Sequence, residues 1–259
     1  MRDGSTPLRP HWLVSRPIAH RGLHDVSRGI VENTTLAAMA AIENGYSIEC
    51  DVQISADGEA MVFHDDHLER LTFGTGRVDA LKADALVELP FQIGIDKMVR
   101  LADFIQLIDA QTPLIVEIKS RFDGDMRLAA RCAEILRDTS SPVALKSFDP
   151  AVLTHLREYK DEYGIGHVPV GIVAESHFNH AEWDFLTPAR KTELANLLHW
   201  PQTRPDFLSW HVNDLPDGPP FVLRAAMQIP LMTWTVRTLQ QLEMAHQWAD
   251  QPVFEGIRP

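Results

Sequence analysis

A chain of 259 residues, 45% hydrophobic and 23% charged, can bury one large core of the size usual for a single α/β barrel. It holds no run of about 18 apolar residues, so no membrane-spanning helix is expected, and Met1–Pro7 lack the apolar stretch of a secretory signal, which reads as cytoplasmic. A formal net charge of −12 argues against nucleic acid as a partner, because a phosphate backbone attracts basic surfaces, but not against a small phosphorylated molecule held by a local field.

In chain order, short apolar runs alternate with longer amphipathic stretches. A strand is expected at Pro17–Arg21 and a helix at Thr35–Asn44. Glu32-Asn33-Thr34 opens that helix, with Asn33 or Thr34 as its cap. The second strand, Tyr46–Ile54, leads into residues 55–100, too long for an ordinary connection. This stretch holds a strand-like piece, Ala60–His64, and a turn, Gly74-Thr75-Gly76, and reads as a small insertion subdomain on the rim of the site. Helix Leu101–Ala110, strand Leu114–Lys119, helix Asp125–Arg137, strand Val143–Phe148 and helix Pro150–Tyr159 follow. Then come strand Val168–Val173, helix Ala181–Leu198, strand Phe207–His211, helix Pro219–Met227, strand Leu231–Val236, helix Leu239–Trp248 and strand Val253–Ile257. Eight strands alternating with helices predict a parallel sheet closed into a TIM (β/α)8 barrel, one domain over residues 1–259. No eighth helix is expected, and Pro7–Ser15, with His11 and Trp12, is expected to cover the gap.

In a barrel, side chains at i and i+2 share a face, and at the C-terminal strand ends that face looks into the site. Glu49 and Asp51 form one such pair, and Glu117 and Lys119 another. Three carboxylates in apolar strands are costly unless neutralised, and a hard, oxygen-seeking cation, Mg²⁺ or Ca²⁺, suits them. Cys50 points the other way; with Cys132 it makes no disulfide framework, and both read as reduced, buried thiols. His20 and His64 end strand pieces and can exchange protons, while Arg21 can clamp a phosphate and Gly22 can turn tightly. His24 and His67 read as solvated loop residues. Glu32 is placed to hydrogen-bond into the site, and Trp234 to pack or to wall a substrate's carbon skeleton. Trp210 and His211 rank below these.

Ala19-His20-Arg21-Gly22, Glu32-Asn33-Thr34, Glu49-x-Asp51, Phe63-His64-Asp65, Gly74-x-Gly76, Glu117-x-Lys119, Ser147-Phe148 and Trp234-Thr235-Val236 occur in that order. The ordered set resembles the glycerophosphodiester phosphodiesterase family from about Pro17 to Ile257. The resemblance implies a TIM barrel with an insertion after strand two, and metal on Glu49, Asp51 and Glu117. It implies His20 and His64 as general base and acid, in either assignment, with Arg21 and Lys119 on the phosphate. The implied reaction is hydrolysis of a small-molecule glycerophosphodiester to an alcohol and glycerol 3-phosphate, with the attacking hydroxyl from water or from the glycerol itself. Two positions depart from the family: Val31 replaces the usual Pro, and Arg237 the usual Asn. A related barrel enzyme acting on a lysophospholipid is the first alternative, disfavoured because no apolar membrane-binding loop stands out. A binding protein that kept the barrel would be expected to lose one of the five metal or acid/base residues, and all are present.

Overall fold

The computed structural model describes residues 10–259. Its strands are β1 (Ile18–Ala19), β2 (Ser47–Ile54), β3 (Ala60–Val62), β4 (Val99–Arg100), β5 (Leu114–Ile118), β6 (Val143–Ser147), β7 (Val170–Ala174), β8 (Phe207–His211), β9 (Leu231–Val236) and β10 (Gln251–Phe254). Eight of them run parallel. β1 closes the cylinder by pairing with both β2 (Ile18 opposite Ser47) and β10 (Ile18 opposite Val253). β3 and β4 are antiparallel additions that continue the sheet outward from β2. The helices are α1 (Thr35–Glu43), α2 (Ala83–Leu86), α3 (Leu101–Ile108), α4 (Arg127–Leu136), α5 (Pro150–Glu158), α6 (Lys160–Tyr163), α7 (Pro188–Ala195), α8 (Trp200–Thr203), α9 (Gly218–Met227) and α10 (Leu239–Trp248). The molecule is the expected TIM barrel.

Two apolar layers follow from strand alternation. Outward side chains such as Cys50, Val116, Leu145, Ile172 and Leu208 pack on the helices. α4 meets them with Leu128, Ala129, Cys132, Ala133 and Leu136, spaced three and four apart on one face. Both cysteines are buried and unbridged. Inward side chains at the N-terminal strand ends, Ile18, Ile115, Ala144, Phe207, Met232 and Val253, fill the barrel floor. Gly171 makes room there: a Cβ on it would lie 2.4 Å from the Phe207 ring. The insertion has its own cluster, with Met61, Phe63, Leu68, Val78, Leu86, Phe91 and Met98 at its centre.

Three expectations change. Ala181–Leu198 is not one helix: a single turn, Ala181–Trp183, is followed by α7 and α8. Thr187 caps α7 with Pro188 in its first turn, and Leu197 takes φ 52, so the chain restarts at Pro188 and breaks after Ala195. The segment before β1 does not cover an outer gap. Trp12 and Val14 pack on the floor cluster, and Leu13 is fully buried in it, so His11–Val14 plugs the barrel from below. Pro7–Arg9 lie outside the described residues. The last strand ends at Phe254, not Ile257, leaving Glu255 on the mouth. Among the described residues no helix follows β10, and no helix is long and apolar enough to cross a membrane.

Candidate active site

Strand register assembles the charged centre. Asp51 lies opposite Glu117, and Glu117 opposite Lys146, across β2, β5 and β6. Glu49 shares the inward face of β2 with Asp51, two residues earlier. A carboxylate oxygen from each of Glu49, Asp51 and Glu117 falls within 4.8 Å of the others, and all three residues are buried. This oxygen-only set suits a hard divalent cation, and Glu49 Oε1 is buried with no hydrogen bond, only the Lys146 ammonium 3.0 Å away.

Three cations face these carboxylates. Lys119 Nζ lies 2.8 Å from Asp51 Oδ1 and 2.5 Å from Glu117 Oε1. Lys146 Nζ lies 3.0 Å from Glu49 Oε1 and 2.9 Å from Glu117 Oε2. Arg21 donates from its backbone N–H to Glu49 Oε2 at 3.1 Å, and its Nε lies 3.3 Å from Asp51 Oδ2. Burial would raise the Glu117 carboxyl, but Lys119 and Lys146 outweigh it and bring it to about 2. Burial likewise opposes ionisation of Asp51, yet Lys119, His64 and Arg21 hold it well below the usual carboxylate range.

The turn after β1 explains Arg21. Arg21 (φ 57) and Gly22 (φ 77) both take the left-handed conformation. A Cβ on Gly22 would lie 2.8 Å from Ala37, so the close approach of this turn to α1 demands glycine. Thr34 caps α1, accepting from the Ala37 N–H. Asn33 does not cap: at φ 57 its side chain turns inward, donating to Asp51 Oδ2 at 2.9 Å and accepting from the Asp51 N–H at 3.1 Å. Its amide is spent holding a carboxylate.

Each histidine is held by a carboxylate that is itself held by an arginine. His20 Nδ1 is 2.9 Å from Glu255 Oε2, and Arg237 Nη2 donates to the same oxygen at 2.9 Å. His64 Nδ1 is 2.7 Å from Asp65 Oδ1, and Arg70 Nε donates to Asp65 Oδ2 at 2.5 Å. Arg70 reaches on to Glu32, which also accepts from Arg21 Nη1 at 2.6 Å. Glu32 is therefore bridged by two arginines and ties the insertion to β1. The hydrogen bond to His20, with Arg237 adding to it, draws Glu255 down to about 2 against the effect of burial.

The other half of the mouth is aromatic. Trp234 stands edge-on to Phe148 with ring centres 5.4 Å apart and lies 5.0 Å from His211; its indole N–H donates to the Ser209 carbonyl. Trp210 faces the helices. Glu175, just past β7, is buried, and its Oε2 makes no hydrogen bond, with His180 Nε2 4.0 Å away. Burial raises its carboxyl to about 7; His180 opposes that shift, and Asp214 and Glu182 add to it. His67 is exposed and His24 half-buried.

The nine residues named from the sequence thus gather at one mouth: the metal candidates, His64, Arg21, Lys119 and Glu32 are linked through side-chain contacts, His20 forms a separate pair with Glu255, and Trp234 lies on the aromatic side. Sequence reasoning missed Lys146, Asn33's inward role, Asp65, Arg70, Glu175 and Glu255. Lys146 was within reach of the i, i+2 rule: in Val143–Phe148 it shares a face with Phe148.

Comparison with known proteins identifies the family. The model of the glycerophosphoryl diester phosphodiesterase family matches residues 20–255. A glycerophosphodiester phosphodiesterase of Caldanaerobacter subterraneus is 35% identical over 111 residues, 40% of this chain and 44% of that protein. Human glycerophosphodiester phosphodiesterase 1 is 37% identical over 84 residues, 32% of this chain and 24% of that one. The matched segments span less than half the length of these curated relatives. Among solved structures, an Oleispira antarctica phosphodiesterase in complex with its product sn-glycerol-3-phosphate superposes with TM-score 0.73 at 21% identity, covering 93% of this chain and 94% of that one. The glycerophosphodiester phosphodiesterase of Thermotoga maritima gives 0.66 at 22% identity, covering 92% of each chain. These structural likenesses speak to the fold, whereas the family match runs through the charged centre from His20 to Glu255, and the chain belongs to the glycerophosphoryl diester phosphodiesterase family.

Proposed function

We propose that the protein hydrolyses glycerophosphodiesters to an alcohol and glycerol 3-phosphate, with a divalent cation, Mg²⁺ or Ca²⁺, on Glu49, Asp51 and Glu117. The observation that carries this reading is the convergence of three carboxylates with two carboxylate-held histidines at one barrel mouth. A bound divalent ion would supply positive charge to the non-bridging phosphate oxygens. Arg21 and Lys119 add their own charge beside it and offset the repulsion a phosphodiester presents to a nucleophile. His20 and His64 each engage a carboxylate through Nδ1, which leaves Nε2 to exchange a proton with substrate. One takes the proton of the attacking hydroxyl, and the other gives one to the departing alkoxide. Trp234 and Phe148 offer an apolar wall to the carbon skeleton.

The test is release of glycerol 3-phosphate from glycerophosphocholine with chelator, Mg²⁺, Ca²⁺ or Mn²⁺. Metal-dependent release is expected; no release with any metal would overturn the reading. A second reading, action on a lysophospholipid, gains from Phe73 (70% exposed) and Ile95 (91% exposed) on the insertion, apolar groups that a lipid surface would accept. Faster turnover of lysophosphatidylcholine than of glycerophosphocholine would favour it.

A further inference from the structure

Lys146 is 2% exposed, and among the described residues its ammonium is the one side-chain cation that pairs with Glu49 and Glu117 together. Its position is fixed by the fold. It lies on the inward face of β6, opposite Glu117 on the neighbouring strand, with Gly171 opposite it on the other side. The space a side chain at Gly171 would take is filled by the Phe207 ring, which floors the barrel beside the Lys146 stem. The ammonium makes two ion pairs within 3.0 Å, and both go to carboxylates proposed as metal ligands. Arg21 and Lys119 differ. Each is several times more exposed, with side chains 17% and 21% accessible, and each also engages Asp51, nearer the mouth. They are placed to meet a phosphate, whereas Lys146 is almost fully buried and its ion pairs go to Glu49 and Glu117.

Three carboxylates and three side-chain cations therefore balance within the centre. A buried carboxylate trio without such cations would draw a divalent ion strongly, because the ion would relieve mutual repulsion as well as form bonds. Here that repulsion is already relieved, and an incoming ion meets a fixed positive charge sharing two of its three donors.

We propose that Lys146 is an internal counter-ion that competes with the divalent cation for Glu49 and Glu117, keeping the barrel stable without metal and setting a weak metal affinity. This rests on the metal assignment made above. The two ideas separate experimentally. Mn²⁺ affinity is measured by calorimetry on the wild type, Lys146→Met and Lys146→Met/Glu49→Gln, with thermal unfolding in chelator and in Mn²⁺ alongside.

Lys146→Met keeps the length of the stem and removes the charge. It should bind Mn²⁺ at least tenfold more tightly, melt lower than the wild type in chelator, and regain more of its melting temperature on adding Mn²⁺. Adding Glu49→Gln should then weaken binding again. Equal Mn²⁺ affinity in wild type and Lys146→Met, with Glu49→Gln still weakening it, would overturn the counter-ion role and leave the metal site standing. Mn²⁺ binding indifferent to Glu49→Gln would remove the metal site itself, and the proposal with it. If Lys146→Met does not fold in chelator, refolding with Mn²⁺ supports the proposal, since the wild type needs none, and failure to fold in either condition overturns it. Lys146→Arg, which keeps the charge, should behave as wild type in chelator.

Discussion

His20 Nδ1 and Glu255 Oε2, 235 residues apart in the chain, lie 2.9 Å from each other where the first and last barrel strands pair. The carboxylate fixes the imidazole ring and commits Nδ1, so Nε2 faces the mouth. Glu255→Ala should lower kcat on the order of 10²-fold with KM little changed, because orientation and not binding is lost. Steady-state kinetics on a variant with native circular dichroism decides it; an unchanged kcat would release Glu255 from this role.

His20→Ala should abolish turnover while leaving the fold intact, since its ring makes one side-chain hydrogen bond at the mouth and fills no core. Normal hydrolysis by the folded variant would remove His20 from the chemistry.

Asn33→Ala strips two partners from Asp51, its backbone N–H and its Oδ2, both buried. Stability should fall by about 3 kcal/mol, the cost of leaving such groups unpaired, and divalent affinity by roughly tenfold, as when a ligand's supporting hydrogen bond is lost. Urea unfolding and calorimetry read the two effects separately, and native-like values in both would refute the role.

Glu175 gives a pH dependence. Folding raises its carboxyl from an ordinary value of 4.5 to about 7, chiefly by burial. The folded state thus keeps a proton that the unfolded chain releases, so stability is full below 4.5 and falls as pH rises toward 7. Glu175→Gln, which cannot ionise, should match the wild type near pH 4 and exceed it near pH 8 by up to about 3 kcal/mol. Parallel stability curves for the two proteins would contradict this.

Gly22→Ala combines a left-handed backbone with a Cβ 2.8 Å from Ala37. It should cost about 2 kcal/mol or more and displace Arg21, whose backbone N–H holds Glu49. A denaturation midpoint equal to wild type would show that the turn relaxes freely.

The barrel was legible because its signal is carried by the core. The runs Ile48–Ile54 and Leu114–Ile118 carry Glu49, Asp51 and Glu117 on the inward face between outward apolar residues, and the helices between strands show apolar spacing of three and four. Glu49, Asp51 and Glu117 stood out for the same reason: charge is conspicuous in a buried strand. Lys146 is less legible, lying in a mostly apolar run, and the carboxylates suggest a metal from sequence alone, whereas in the fold Arg21, Lys119 and Lys146 pair with them directly. Glu255 was hidden by a boundary, since a strand drawn through Ile257 buried it among β residues. Asn33 was read as a helix cap because Asn at that position commonly is one; its positive φ, invisible in sequence, turns the amide toward Asp51 instead. Ala181–Leu198 looked helical by composition, and Pro188 was the breaker that the pattern underweighted.

The pairing of β1 with β10 has a consequence for synthesis of the protein. The ribosome makes His20 a full 235 residues before Glu255, so a nascent polypeptide can fold most of the barrel while His20 still lacks its partner. The His20–Glu255 pair forms only when β10 docks, whereas His64 and its carboxylate partner Asp65 are neighbours in the chain. Barrel closure and the orientation of His20 are then one event, and a product truncated before Glu255 would lack one of the two carboxylate-held histidines even when largely folded.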